Sequence, residues 1–150
     1  KADDGELLVI RRALHAEISP EENEQRENIF HTRCTINGKV CMMIIDGGSC
    51  TNVASTTMIE KLKLPTSKHP QPYKLQWLSK GSDVKVTKRA LISFSIGKNY
   101  QDEVLCDVIP VDACHLLLGR PWQYDRKAVH DGHKNTYSFH KERKCITLES

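Results

Sequence analysis

Residues 41–52 read Cys-Met-Met-Ile-Ile-Asp-Gly-Gly-Ser-Cys-Thr-Asn, an apolar run that stops at a carboxylate, two glycines and a small polar loop. The run Val40–Ile45 does not alternate polar with apolar residues, so it predicts a fully buried strand rather than a half-exposed one. It is too short to cross a membrane. Such a strand carries Asp46 to the edge of an apolar interior. There an unpaired polar group costs about 2–7 kcal/mol, and a charge more, unless it is hydrogen-bonded, paired or neutralised. Gly47 and Gly48 permit backbone angles that other residues avoid, and let another backbone or a ligand come close. The plain alternative is that Asp46-Gly47 is only a hairpin turn, the commonest meaning of Asp-Gly after a strand.

A chain of 150 residues fits one domain and is long enough to hold together without a metal or disulfide. Its charge of +3 says little about partners. Lys1 in place of a methionine suggests a piece of something longer. With no signal-peptide pattern and no apolar run near ~18 residues, an intracellular, cytoplasmic, membrane-free chain is expected. Of the six cysteines, Cys34, Cys41, Cys106 and Cys145 fall in strand-like runs and read as small buried hydrophobes. None forms a C-x-x-C pair, and His130-x-x-His133 has no cysteine nearby, so neither zinc, a disulfide framework nor any other cofactor is expected.

In chain order, residues 1–28 read as a charged arm or linker, with Glu21–Asn28 solvated and Leu7–Ile10 as a thin strand signal. Residues 29–150 read as the folded domain. Asn37-Gly38 predicts a hairpin between Phe30–Ile36 and Lys39–Ile45. A helix is predicted over Thr57–Leu64, with Thr57 and Glu60 spaced as a capping box and Pro65 stopping it. Residues 65–72 read as a loop. A second hairpin follows, with Leu75 and Trp77 before the turn Lys80–Asp83 and Val84 and Val86 after it. A further strand carries Ile92, Phe94 and Ile96 to a turn at Gly97–Asn99. Val104–Ile109 and Leu116–Leu118 are apolar strands, and Pro121 suits the first turn of a short helix with Trp122 and Tyr124. Thr136–Phe139 and Cys145–Leu148 predict a last hairpin, within about residues 134–150. Its tip carries Lys141, Arg143 and Lys144, read as solvated; nucleic acid is not expected as a partner without an aromatic platform. Asp131-Gly132 reads as a turn. Many short strands with few helices predict a mainly β fold, a small barrel or sandwich.

Two stretches carry a resemblance. Ile44–Ser55 and Leu117–Asp125 (Leu-Leu-Gly-Arg-Pro-Trp-Gln-Tyr-Asp) resemble the retropepsin-like protease region of plant gypsy-type LTR-retrotransposon polyproteins, and the likeness covers most of residues 28–150. It implies a closed retropepsin-like β-barrel or sandwich with one or two short helices, working as a homodimer. It implies that Asp46 is the catalytic carboxylate, that Gly47, Gly48 and Ser49 form the active-site loop, and that Leu116–Gly119 supports that loop. Gln76–Lys85 would be the flap over the substrate, centred on Gly81 and including Trp77, Leu78 and Ser79, with Trp77 either touching substrate or sitting half-buried in the core. The implied substrate is the chain's own polyprotein, the implied neighbour a reverse transcriptase domain, and the implied setting the cytoplasm or a virus-like particle.

One position departs from the pattern. The family's triplet is Asp-Ser-Gly or Asp-Thr-Gly, whose hydroxyl bonds across the dimer, and Gly47 cannot make that bond. Ser49 or Thr51 could partly substitute, though neither has the matching position. A catalytically silent folding or dimerisation module is therefore the alternative to an active endopeptidase.

Overall fold

Asn37 and Gly38 both take left-handed backbone angles, φ 51° and 77°, the geometry by which a two-residue turn matches the twist of its flanking strands. In the computed structural model, which describes residues 29–77 and 82–149, they join β1 (Ile29–Ile36) to β2 (Lys39–Asp46). The pairing runs from Ile36 opposite Lys39 to Ile29 opposite Asp46, as the Asn-Gly signal predicts. Beyond it come β3 (Val53–Ser55), α1 (Thr56–Leu62), β4 (Ser67–Trp77), β5 (Ser82–Ile96), β6 (Tyr100–Ile109), β7 (Leu116–Leu118), α2 (Arg120–Asp125), β8 (Val129–Asp131), β9 (Thr136–Lys141) and β10 (Lys144–Glu149).

The first seven strands form one sheet in the order β1-β2-β7-β3-β6-β5-β4. The sheet bends until β1 meets β5 again, Thr35 opposite Ser95. Strands β8–β10 form a second, three-stranded sheet. The fold is mainly β and sandwich-like, with two short helices among the described residues.

Strand β2 explains its own composition. Met43 and Ile45 point into the larger core cluster with Phe30, Ile92, Leu116, Leu118 and Phe139. Ile44, one residue out of phase, points into a second cluster with Val53, Val86, Ile109, Val111 and Leu117. Strand β7 divides in the same way, with Leu116 and Leu118 on one side and Leu117 on the other. Strands covered on both faces have no polar face to alternate with. The run is looser towards its start, where Val40 is 70% exposed next to the turn and Met42 is only partly buried.

Several local expectations are corrected. The helix begins at Thr56 and is capped by Ser55, whose hydroxyl accepts from the Met58 amide at 3.0 Å; Thr57 lies inside the first turn and is no cap. The helix stops at Lys63, whose left-handed backbone (φ 53°) ends it before Pro65. Ser67–Pro72 belongs to β4, because a register shift between Lys68 and Tyr73 lets prolines 70 and 72 pass along the strand. The stretch Ser82–Ile96 is one long strand, not two. Cys145 is exposed on β10, a sheet edge, while Cys34, Cys41 and Cys106 are buried. Lys141 is not a solvated tip residue, since its ammonium lies 3.6 Å from buried Asp102. The expectations for residues 1–28 and for Leu78, Ser79 and Gly81 lie outside the described residues, as does that for the Trp77 side chain. No helix among the described residues is long and apolar enough to cross a membrane.

Candidate active site

Strand β2 pairs in parallel with β7, and β3 lies against the other edge of β7 in antiparallel fashion. The segment 47–52 therefore has to cross the end of β7 to get from β2 to β3. This overturns the hairpin reading of Asp46-Gly47, since β2 and β3 are not neighbours. Asp46 closes β2 at 2% exposure. The Gly48 amide donates to its Oδ1 at 2.8 Å, and the Ser49 amide donates to its carbonyl at 3.2 Å. Two neighbouring groups respond to Asp46. Burial, then Asp46, pushes the Cys114 thiol up to about 12, and burial followed by Asp46 also raises the Tyr137 phenol.

The loop is fixed from below by β7 and the start of α2. The Arg120 amide donates to the Ser49 carbonyl at 2.9 Å, and the Gly119 amide to Asn52 Oδ1 at 2.9 Å. Asn52 Nδ2 reaches on to the Leu105 carbonyl at 3.3 Å. A Cβ on Gly119 would lie 2.1 Å from the Thr51 carbonyl oxygen and 2.9 Å from that of Ser49. Only glycine permits this approach. Asp46, Gly47, Gly48 and Ser49 thus sit together over Leu116–Gly119, the juxtaposition that the two motifs imply.

The hydroxyls that could stand in for the one absent at Gly47 are engaged within the chain. Ser49 Oγ donates to the Thr51 carbonyl at 2.7 Å. Thr51 Oγ1 lies 3.1 Å from Asp107 Oδ2 and 3.2 Å from the Asn52 carbonyl. Its single proton goes preferentially to the charged acceptor.

By alternation Asp46 shares the face of Ile44, which belongs to the second core cluster. Tyr73, Leu75 and Val84, from the paired stems of β4 and β5, pack on that same cluster. The hairpin expected to cover a substrate therefore rises from the side of the sheet on which the carboxylate lies. Its backbone pairing continues to Trp77 opposite Ser82.

Two carboxylate clusters escaped the sequence reading. Asp107 gathers Thr51, His69 Nε2 at 3.0 Å and the Tyr73 hydroxyl. Asp102, at 6% exposure, takes a two-pronged contact from Arg126 at 2.7 and 2.8 Å, with Trp122 Nε1 at 3.2 Å and the Tyr100 hydroxyl. The second cluster left a signal. Tyr100, Asp102, Val104 and Cys106 share the buried face of β6, so the period of two marks Asp102 as an inward charge that needs a partner. His130, half of the one metal-like pair, instead stacks on Tyr137 with ring centroids 5.5 Å apart.

Residues 42–146, well over half of the chain, match the family model for the PEG10/RTL1 protease domain. The chain belongs to that family. The PEG10/RTL1 match runs from β2 to β10, so it takes in the second sheet as well as the loop, β7 and the stem strands. Among solved structures, the chain is similar to the retroviral protease-like domain of Ddi1 from Leishmania major. The TM-score is 0.54 at 14% identity, over 80% of this chain and 90% of that one. At that identity the likeness shows the retropepsin-like fold. The protease of EIAV in complex with the inhibitor HBY-793 also matches (TM-score 0.48, 18% identity, 63% and 85% covered). So does a retropepsin-like aspartic protease from Rickettsia conorii (TM-score 0.45, 17% identity, 71% and 77% covered). No curated protein matches the chain. The chain is thus a PEG10/RTL1 protease domain by family and retropepsin-like by fold.

Proposed function

We propose that the chain is an aspartic endopeptidase that works as a homodimer, each copy supplying Asp46. The observation that carries this is a buried carboxylate at the end of β2, bonded by the Gly48 amide and seated over Gly119, in a protease-family chain. The one other Asp-x-Gly, Asp3-Asp4-Gly5, leads into Glu-Leu-Leu rather than the small polar Ser-Cys-Thr that follows Gly48, and does not repeat the active-site motif. A catalytic pair therefore requires a second molecule. Two carboxylates about 3 Å apart cannot both ionise, so they hold one proton between them. The ionised partner takes a proton from a water, which attacks the peptide carbonyl, and the protonated partner donates towards the carbonyl oxygen. The titration belongs to the pair, and activity traces a bell-shaped curve against pH. The flap Gln76–Lys85, with Trp77, Leu78, Ser79 and Gly81, closes over the bound peptide and excludes water. The substrate is the polyprotein that contains the domain, in a gypsy-type retrotransposon arrangement of plant origin with reverse transcriptase alongside, inside the cell or in a virus-like particle.

The test is cleavage of a flanking polyprotein substrate by purified protein, alongside its mass in solution. Asp46→Asn is expected to abolish cleavage while leaving the thermal transition in place. Undiminished cleavage in that variant rules the mechanism out.

A second reading has its own observation. With Gly47 in the middle of the triplet and the hydroxyls of Ser49 and Thr51 already donating in-chain, neither has a proton left to donate across the pair. A catalytically silent dimerisation module then predicts no cleavage at any acidic or neutral pH, even where the chain is dimeric. A bell-shaped profile rejects it.

A further inference from the structure

Asp107 stands where three parts of the molecule meet. It lies on β6 beside Asn52, whose carbonyl takes the Asp107 amide at 2.9 Å. Its carboxylate is reached by Thr51 from the loop that follows Asp46, and by His69 and Tyr73 from β4. Its side chain is 13% exposed and that of His69 is 15% exposed, so water competes only weakly for these bonds. The His69 and Tyr73 rings also meet edge to face, with centroids 5.5 Å apart, so the two donors brace each other. Burial, then the bond to Asp107, raises the Tyr73 phenol, which keeps it a donor at every physiological pH. Strand β4 is an edge of the sheet, backbone-bonded only to β5. Without this cluster, the flap stem would reach the loop only through its apolar face.

We propose that Asp107 is a latch that couples the stem of the flap hairpin to the loop carrying Asp46, so that movement of one is felt by the other. This rests on the protease reading only for its consequence. There Asp107 is a positioning residue that ties flap closure to the geometry of the carboxylate pair, where small displacements cost rate. The coupling itself is a property of the folded chain and can be measured without any catalysis.

The experiment is native-state amide hydrogen exchange on the whole chain, with Tyr73→Phe and Thr51→Val as separate variants. Tyr73→Phe removes one hydroxyl on β4 and changes no loop residue. Even so, exchange at Gly48, Ser49, Gly119 and Arg120, whose amides hold the loop together, is expected to quicken about tenfold, the scale of one charge-assisted bond. Coupling is reciprocal. Thr51→Val should therefore quicken exchange in the β4–β5 ladder around Tyr73 and Val86 to a similar degree. If each variant loosens only its own segment, the latch is refuted. If both segments loosen in both variants, it stands, whatever the peptidase assay shows. A dead enzyme with coupled exchange would count against the protease reading alone. In an active enzyme, Tyr73→Phe is further expected to lower kcat with KM little changed.

Discussion

The carboxylate of Asp102 offers the sharpest test of what holds this fold together. Its side chain is 1% exposed, and four elements converge on it. They are β6 through Tyr100 and the Glu103 amide at 2.8 Å, α2 through Trp122, the turn after α2 through Arg126, and β9 through Lys141 at 3.6 Å. Asp102→Asn keeps the shape, removes the charge and presents an amide N–H to groups that are themselves donors. Breaking a buried pair in this way costs about 3–5 kcal/mol. Arg126 keeps 23% of its side chain exposed and can recover some hydration, which favours the lower end of the range. A loss of about 3 kcal/mol, against the 5–15 kcal/mol typical of a whole domain, lowers Tm by roughly 10 °C at this chain length. The assay is thermal or urea unfolding at fixed protomer concentration, since dimerisation would shift the apparent stability. Adding Arg126→Met should recover much of the loss, because the stranded cation goes with it. A single variant less than about 1 kcal/mol below the wild type would refute the anchoring role.

The same site fixes a pH dependence. Burial pushes the Asp102 carboxyl up, but Arg126, Tyr100, the Glu103 amide and Trp122 together outweigh it and hold the group well below the usual carboxylate range. A carboxyl lowered by folding stabilises above its unfolded pKa of about 3.9, and that contribution fades as pH falls through the folded value. The stability gap between wild type and Asp102→Asn is thus constant from neutral pH to about pH 5 and narrows steadily below pH 4. A gap unchanged down to about pH 2 would mean that another group carries the effect.

Gly119→Ala forces a methyl against the Thr51 carbonyl, 2.1 Å from the ideal Cβ; it should cost at least about 1–3 kcal/mol in urea unfolding and displace the loop, so that any peptidase activity falls further than stability does. Phe139→Ala empties a fully buried site between Tyr100 and Trp122, with ring centroids 4.9 and 5.0 Å away; a loss of about 3–5 kcal/mol in the same assay is expected if the second sheet belongs to the one cooperative unit. Gly47→Ser returns a hydroxyl to the triplet; on the homodimer reading, sedimentation equilibrium should show self-association tightened by roughly 0.5–1.5 kcal/mol for each bond restored.

Much of the framework was legible because it is written locally. Asn37-Gly38 demands a two-residue turn, and the turn then sets the register of β1 against β2 out to Asp46. Leu116–Leu118 and Met43–Ile45 read as buried strands because they are sandwiched between two clusters. The errors arose where a local signal was overridden by something distant. Thr57 and Glu60 have capping-box spacing, but Ser55 ends β3 and reaches the Met58 amide first, which moves the helix start back. Pro70 and Pro72 argue for a loop until an edge strand is available, and β4 is one, with its register slipping over that very stretch. Lys141 looked like one more solvated cation because its partner, Asp102, is on another sheet.

The candidate site divides along the same line. Asp46, its glycines and Gly119 could be found in one dimension, since each lies in a short motif whose meaning is local backbone geometry. What keeps them in place could not. The Asp107 contacts bridge 56 residues to Thr51, 38 to His69 and 34 to Tyr73, and no spacing rule connects such positions. The topology does. Because β7 lies between β2 and β3, the loop must pass over the end of β7. Because β3 also pairs with β6, Val53 is set opposite Asp107, bringing that carboxylate to the loop's far end. Edge strand β4, folded back along β5, then delivers His69 and Tyr73 to the same point. The chemistry of the loop is thus carried by a short motif, while its rigidity depends on strand order.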